Sequence, residues 1–131
     1  MAHEWALLRV QAARHLNSTD PMLALHAKRL IALSLAHSTE AQDKASAVAH
    51  YQSLIHEPTS RPTDNANLAN LLLEMERFED AKSVILEGIE KFPPSASEYF
   101  SPIGLRIAEA TGDRAFRQQL DAVIEARGKR G

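Results

Sequence analysis

The chain has 131 residues, no Cys and a formal charge of −2. These values exclude disulfides and thiolate metal sites, and they disfavour a general nucleic-acid binder. No apolar run is long enough to span a membrane. The first residues lack the basic and apolar regions of a signal peptide, so the predicted compartment is the cytoplasm. With 21 Ala and 16 Leu against 4 Val and 7 Ile, the composition is typical of an all-α protein.

Proline, glycine and capping residues divide the chain into seven predicted helices. The predicted helices cover residues 3–16, 21–37, 40–56, 64–76, 79–92, 97–111 and 113–127. Asp20 before Pro21 is a good N-cap with Pro at the first helical position. Thr63 or Asp64 is the predicted cap of the fourth helix. Gly112 is the predicted C-cap of the sixth, and Asp113 is the N-cap of the seventh.

One segment has the pattern of a helical repeat. It runs from Asn65 to Pro93, with Ala69 in its first helix and Phe78 and Ala81 at the start of its second. This pattern resembles the tetratricopeptide repeat, a 34-residue helix–turn–helix unit closed by Pro. Small residues at the crossing let two helices approach to about 8–10 Å. Asn65 departs from the family, which usually has a large apolar residue there.

The same pattern recurs along the chain. Ala47, Ala81 and Ala115 are spaced by 34 residues, and Tyr99 stands where the central unit has Asn65. The first helix of the first unit is out of register by three or four residues. The predicted units are residues 21–57, 62–94 and 96–128, within a single domain over residues 1–131. A capping helix over 3–16 precedes them and a basic tail over 129–131 follows. The resemblance implies a right-handed α-α superhelix, a solenoid of about seven antiparallel helices.

The resemblance also implies a binding surface, because first helices line a concave groove in this family. In the central unit the groove positions fall on Ala66, Asn67, Asn70, Leu73 and Glu74. In the third unit they fall on Phe100, Ser101, Gly104 and Ile107. The predicted partner-binding residues are Asn67, Asn70, Leu73, Glu74, Phe100 and Ile107. Amides can hold a peptide backbone, and exposed apolar side chains would anchor the partner. The family's carboxylate clamp is disfavoured because Ser97 and Ser101 replace its basic residues.

Other chemistry finds little support in the sequence. The six His include no pair at i, i+4 and no H-E-x-x-H motif, so no metal site is expected. Glu74, Glu76, Glu79 and Asp80 fit a solvated corner, with Asp80 near a helix N-terminus. The chain has no phosphate-binding glycine loop and no nucleophile elbow. We therefore expect no catalysis and no cofactor.

The predicted function is protein–protein interaction, with a peptide or helix of a partner protein docked in the groove. On this interpretation, Leu73→Asp and Phe100→Asp abolish partner binding while the protein stays helical. One alternative is a small chaperone for a secreted or aggregation-prone subunit. Another is a self-associating structural module, a homo-oligomer, or a fragment of a longer repeat protein. Neither nucleic acid nor membrane is an expected partner.

Overall fold

Seven α-helices and two short helical turns form the protein in a computed structural model. The backbone of residues 2–130 is described, and so are the side chains of residues 7–94 and 98–126. The helices are α1 Ala2–Ala13, α2 Pro21–Ala36, α3 Ala41–Ile55, α4 Pro62–Glu74, α5 Phe78–Lys91, α6 Ser101–Thr111 and α7 Arg114–Arg130. A 3-10 turn, Pro93–Ser95, and a π-helical turn, Ala96–Phe100, precede α6. No strand occurs within residues 2–130, so the all-α prediction is confirmed.

Internal contacts divide the chain into two compact units, Met1–Ser60 and Arg61–Gly131. In the N-terminal unit, α2 packs against both α1 and α3. Its core includes Ala32 from α2 with Ala47 and Tyr51 from α3, all nearly inaccessible to solvent. Arg9 of α1 lies 3.7 Å from the Asp43 carboxylate of α3. Small side chains in a core let neighbouring helices approach closely. Ala32 of α2 and Ala47 of α3 provide such side chains in this core.

In the C-terminal unit, α5 is the central helix. It packs against α4, α6 and α7, and α4 also contacts α6. The core is aliphatic, with Leu68 and Leu72 from α4, Ile85 and Ile89 from α5, and Leu120 from α7 buried to 1% exposure or less. Such burial supplies the hydrophobic stabilisation of the unit.

Three predicted helix ends are confirmed. The Asp20 carboxylate accepts the Met22 N–H at 3.0 Å, at the start of α2. Gly112 ends α6 in the left-handed conformation, with φ of 67°. Asp113 accepts the Phe116 N–H at 3.0 Å and so caps the first turn of α7. These residues satisfy backbone groups that a helix end leaves unpaired.

Other boundaries differ from prediction, and three of them have a local cause. The helix α4 begins at Pro62, and Asp64 lies inside its first turn, where its carboxylate accepts the Arg61 N–H at 2.9 Å. The predicted cap at Thr63 or Asp64 is therefore wrong. The helix α1 ends at Ala13, because the following N–H groups bond three residues back rather than four. Regular α-helix in α6 starts at Ser101, since the chain before it forms the π-helical turn.

Candidate functional site

Four of the six predicted binding residues lie on one side of α4. Asn67, Asn70, Leu73 and Glu74 follow each other at spacings of three, three and one, which places them on one helical face. The Asn67 and Glu74 side chains are exposed, whereas Asn70 and Leu73 are half-buried. The opposite face of α4 carries the buried Leu68 and its neighbours. This face is therefore the more solvent-accessible side of α4.

A side chain from α6 joins this face. Arg106 donates from Nη1 to the Asn70 Oδ1 at 3.0 Å, which links α6 to α4. The bond occupies the acceptor of the Asn70 amide and leaves its NH2 group as donor. The sequence gives no signal for this contact, because the two residues are 36 positions apart. A guanidinium thus belongs to a surface that was predicted to carry amides and apolar groups.

The other two predicted binding residues are not on the surface. Phe100 and Ile107 have no solvent exposure, so the expectation that Phe100 is an exposed anchor is wrong. The ring of Phe100 lies against Gly88 of α5, where an added Cβ would come within 2.7 Å of the Phe100 Cζ. Gly88 therefore provides the space that the buried ring fills. Neither side chain can touch a partner while this packing is kept.

A register shift explains the error. Burial in α4 and α5 repeats in α6 and α7 at a spacing of 35 residues. The buried pairs are Asn65 and Phe100, Leu68 and Ile103, Ala69 and Gly104, Leu72 and Ile107, Ala81 and Phe116, and Ile85 and Leu120. Ala115, the partner of Ala81 at a spacing of 34, is exposed. The spacing of 34 is therefore wrong for this part of the chain.

The extra residue lies before Phe100, in the segment that contains the π-helical turn Ala96–Phe100. Such a turn bonds five residues apart and accommodates one residue more than an α-helical turn. With the corrected register, Leu105 and Glu109 of α6 correspond to Asn70 and Glu74 of α4. Leu105 is half-buried and Glu109 is exposed. These α6 residues, with Arg106, replace Phe100 and Ile107 on the candidate surface.

A second polar cluster joins α5 to the start of α7. The Lys82 ammonium lies 2.7 Å from the Asp113 carboxylate and 2.9 Å from that of Glu79. It also lies 5.6 Å from the centre of the Phe116 ring. The spacing of Glu79 and Lys82 by three residues indicates their contact from sequence. Asp113 is 31 residues from Lys82, and no local pattern predicts that bond.

The charges of this cluster reinforce each other. The hydrogen bond to Asp113 raises the pKa of Lys82, and the bond to Glu79 adds to this effect. The same Lys82 bond lowers the pKa of the Asp113 carboxyl, with help from the Phe116 N–H. An ammonium that is held protonated has no lone pair with which to attack a substrate. The cluster of Lys82 with Asp113 and Glu79 therefore joins α5 to the start of α7, and we call it the clasp. It lacks the features of a nucleophilic centre.

The described residues contain neither a cluster of metal ligands nor a candidate membrane span. Within the described part of the chain, no three His, Asp or Glu side chains come together as metal ligands. No helix among the described residues is long and apolar enough to cross a bilayer. Four acidic residues around the turn between α4 and α5 are all exposed: Glu74, Glu76, Glu79 and Asp80. The Asp80 carboxylate pairs with the Arg77 guanidinium at 2.9 Å.

No family model, no curated protein and no solved structure matches this chain.

Proposed function

We propose that the protein is an interaction module that binds a peptide or helix of a partner protein and has no chemistry of its own. The binding surface is the α4–α6 face, which we define as Asn67, Asn70, Leu73 and Glu74 of α4 with Leu105, Arg106 and Glu109 of α6. The proposal keeps the cytoplasm as the compartment. It also keeps the tetratricopeptide-like arrangement of helix pairs into a right-handed superhelix.

The Asn70–Arg106 hydrogen bond is the observation that carries this proposal. It joins the first helices of two successive helix pairs, which are the elements that line the groove in the family this chain resembles. The bond also holds the Arg106 and Asn70 side chains together before a partner arrives, which lowers the entropic cost of binding. A surface with preset donors suits recognition of a peptide backbone.

The half-buried side chains Leu73 and Leu105 supply the apolar part of the surface. One lies on α4 and the other on α6, each next to an exposed polar residue. An amphipathic helix or an extended peptide with two spaced apolar side chains fits such a surface. The polar residues around the leucines would form the rim, where contacts add specificity more than affinity.

Peptide-library selection on the intact protein tests this proposal. We expect wild-type protein to enrich peptides with spaced apolar residues and Leu73→Asp to lose them. The matched control is Leu86→Asp, since Leu86 is also half-buried but lies on α5. Peptides that bind wild type and Leu73→Asp equally would contradict the proposed surface. A loss of peptide binding in Leu86→Asp as complete as in Leu73→Asp would also contradict the proposed surface.

A further inference from the structure

Asn65 places a polar side chain in the core of the C-terminal unit. It is 1% exposed, at a position where the tetratricopeptide pattern usually has a large apolar residue. Its Nδ2 donates to the Val84 carbonyl of α5 at 3.3 Å. Its Oδ1 is buried and has no hydrogen-bond partner among the residues that the structure describes. A buried acceptor without a donor costs the free energy of its lost hydration, so Asn65 makes the packing around it less favourable.

The ring of Phe100 lies beside Asn65. A Cβ added to Gly88 would lie 2.7 Å from the Phe100 Cζ and 3.2 Å from the Asn65 Cβ, so the two side chains meet at one point of α5. The π-helical turn that ends at Phe100 also packs against α4, the helix that carries Asn65. Phe100 itself has no solvent exposure. Withdrawal of this ring would therefore admit water to the part of the core that contains the Asn65 amide.

Phe100 ends a segment without regular α-helix, residues 93–100, which we call the strap. It consists of the 3-10 turn Pro93–Ser95 and the π-helical turn Ala96–Phe100. Hydrogen bonds in a 3-10 turn have poorer geometry than those of an α-helix, and π-helical turns are rare and often mark functional sites. The two prolines at the start of the strap, and Pro102 just after its end, have no N–H group. Three donors that could tie this part of the chain to its neighbours are thus absent.

We propose that the strap opens as a local unit while the helices of the C-terminal unit stay folded, and that Asn65 sets how often it opens. In the closed state the Phe100 ring is buried and the Asn65 Oδ1 lacks a donor. In the open state water donates to this oxygen, which offsets part of the cost of exposing the ring. A large apolar residue in place of Asn65 would instead hold the strap closed.

Contacts outside the strap confine the opening. Ile107 of α6 has no solvent exposure, and Arg106 of α6 donates to the Asn70 Oδ1 of α4 at 3.0 Å. Both contacts lie beyond the strap, so they keep α6 on α4 when Phe100 leaves the core. The opening is therefore independent of the proposed partner surface, and the two proposals can fail separately.

Native-state hydrogen exchange of the full chain tests the opening. We expect protected amides of residues 98–100 to exchange at a lower opening free energy than those of Leu68 and Leu72, which are buried on α4. Asn65→Leu replaces the amide by an apolar group of the same shape. It should lower the equilibrium constant for opening of the strap by at least about fivefold, because the acceptor without a donor is removed. The Val84 carbonyl keeps the N–H that α5 itself supplies.

Asn67→Leu is the matched control, since Asn67 is an exposed Asn on the same helix. It should change the opening of the strap by less than about twofold, and circular dichroism should be alike for the three proteins. Strap amides that exchange only with those of Leu68 and Leu72 would overturn the proposal. Equal effects of Asn65→Leu and Asn67→Leu would overturn it as well.

Thiol labelling gives a second test that does not require Asn65→Leu to fold. The chain has no Cys, so Asn65→Cys places a single thiol beneath the Phe100 ring. Ala69→Cys places one a turn further along α4, where the side chain has no exposure. With a maleimide reagent, we expect the thiol at position 65 to react at least about fivefold faster than the one at position 69. Equal rates would mean that both thiols are reached only by unfolding of the whole unit, and would contradict a local opening.

Discussion

The two units of this protein complete their apolar burial to different extents. The C-terminal unit encloses its large apolar residues and adds the Lys82–Asp113 clasp, which joins α5 to α7. The N-terminal unit leaves five large apolar residues in contact with solvent: Leu7, Val10, Leu16, Met22 and Leu23. It also contains all six His and has as many acidic as basic residues. The C-terminal unit is thus closed and carries a net charge. The N-terminal unit is neutral and partly open.

The exposure of a side chain and its residue type together determine what each unit can bind. The candidate partner surface of the closed unit consists of half-buried leucines among polar groups. The surface of the open unit consists of exposed apolar groups. The first arrangement suits a peptide that brings its own polar groups. The side chains of the second contribute less to stability, because they stay in contact with solvent.

The largest expected effect separates the core of the closed unit from its surface. Phe100→Asp places a carboxylate where no solvent reaches, and we expect it to lower the free energy of unfolding by at least about 4 kcal/mol. Leu73→Asp should cost about 1 kcal/mol, because Leu73 is half-buried. Urea titration followed by circular dichroism measures both values. Equal losses for the two variants would contradict the register described for α6.

A matched pair of valines compares the two units directly. Val84 on α5 is 8% exposed, whereas Val10 on α1 is 57% exposed. Val84→Ser should lower the free energy of unfolding by about 2 kcal/mol, and Val10→Ser should change it by less than about 0.5 kcal/mol. A large loss for Val10→Ser would mean that α1 is not open to solvent.

Because of the clasp, the free energy of unfolding of the closed unit should depend on pH. The pKa of Asp113 is lowered in the folded protein, so its contribution is present above the unfolded carboxyl pKa. The contribution is lost as pH falls through the folded value. The pKa of Lys82 is raised, so its contribution is present below the ordinary lysine pKa and is lost as pH rises through the folded value.

Asp113→Asn removes this carboxylate and should lower the Tm by a few degrees at neutral pH. The difference in Tm from wild type should shrink in acid, where Asp113 is protonated in both states. Asp121→Asn is the control, since Asp121 pairs with Arg117 at 3.3 Å on the exposed side of α7, where ion pairs contribute little. A difference in Tm between wild type and Asp113→Asn that is independent of pH would contradict the clasp.

The smallest expected effect concerns the turn that joins α4 to α5. Glu76 has a φ of 59°, and the Arg77 N–H donates to the Leu72 carbonyl at 2.8 Å, as in a Schellman helix end. Gly accepts this conformation best, so Glu76→Gly should raise the free energy of unfolding by about 0.5–1 kcal/mol. Glu74→Gly, in the last turn of α4, should instead lower it by up to about 1 kcal/mol. Thermal unfolding measures both, and changes of equal sign would contradict the assigned helix end.

Much of the fold could be predicted from local sequence. Asp20 with Pro21, and Gly112 with Asp113, fix helix ends through bonds between near neighbours, and their signals are local. Helical ends of this kind are determined by a few adjacent residues.

The candidate surface was harder to predict, because it depends on a single residue of register. The π-helical turn Ala96–Phe100 adds that residue, and no sequence pattern marks it. Its effect is to turn Phe100 and Ile107 from the predicted groove into the core. The Arg106–Asn70 and Lys82–Asp113 bonds join residues more than thirty positions apart. Contacts of that range arise from packing and carry no local signal.

Native-state hydrogen exchange of the full chain compares the two units in one experiment. We expect the amides of α1 and the first turn of α2 to open at a lower free energy than those in the middle of α4 and α5, because Leu7, Val10, Met22 and Leu23 are exposed. Equal or greater protection in α1 would contradict the claim that the N-terminal unit is the open one.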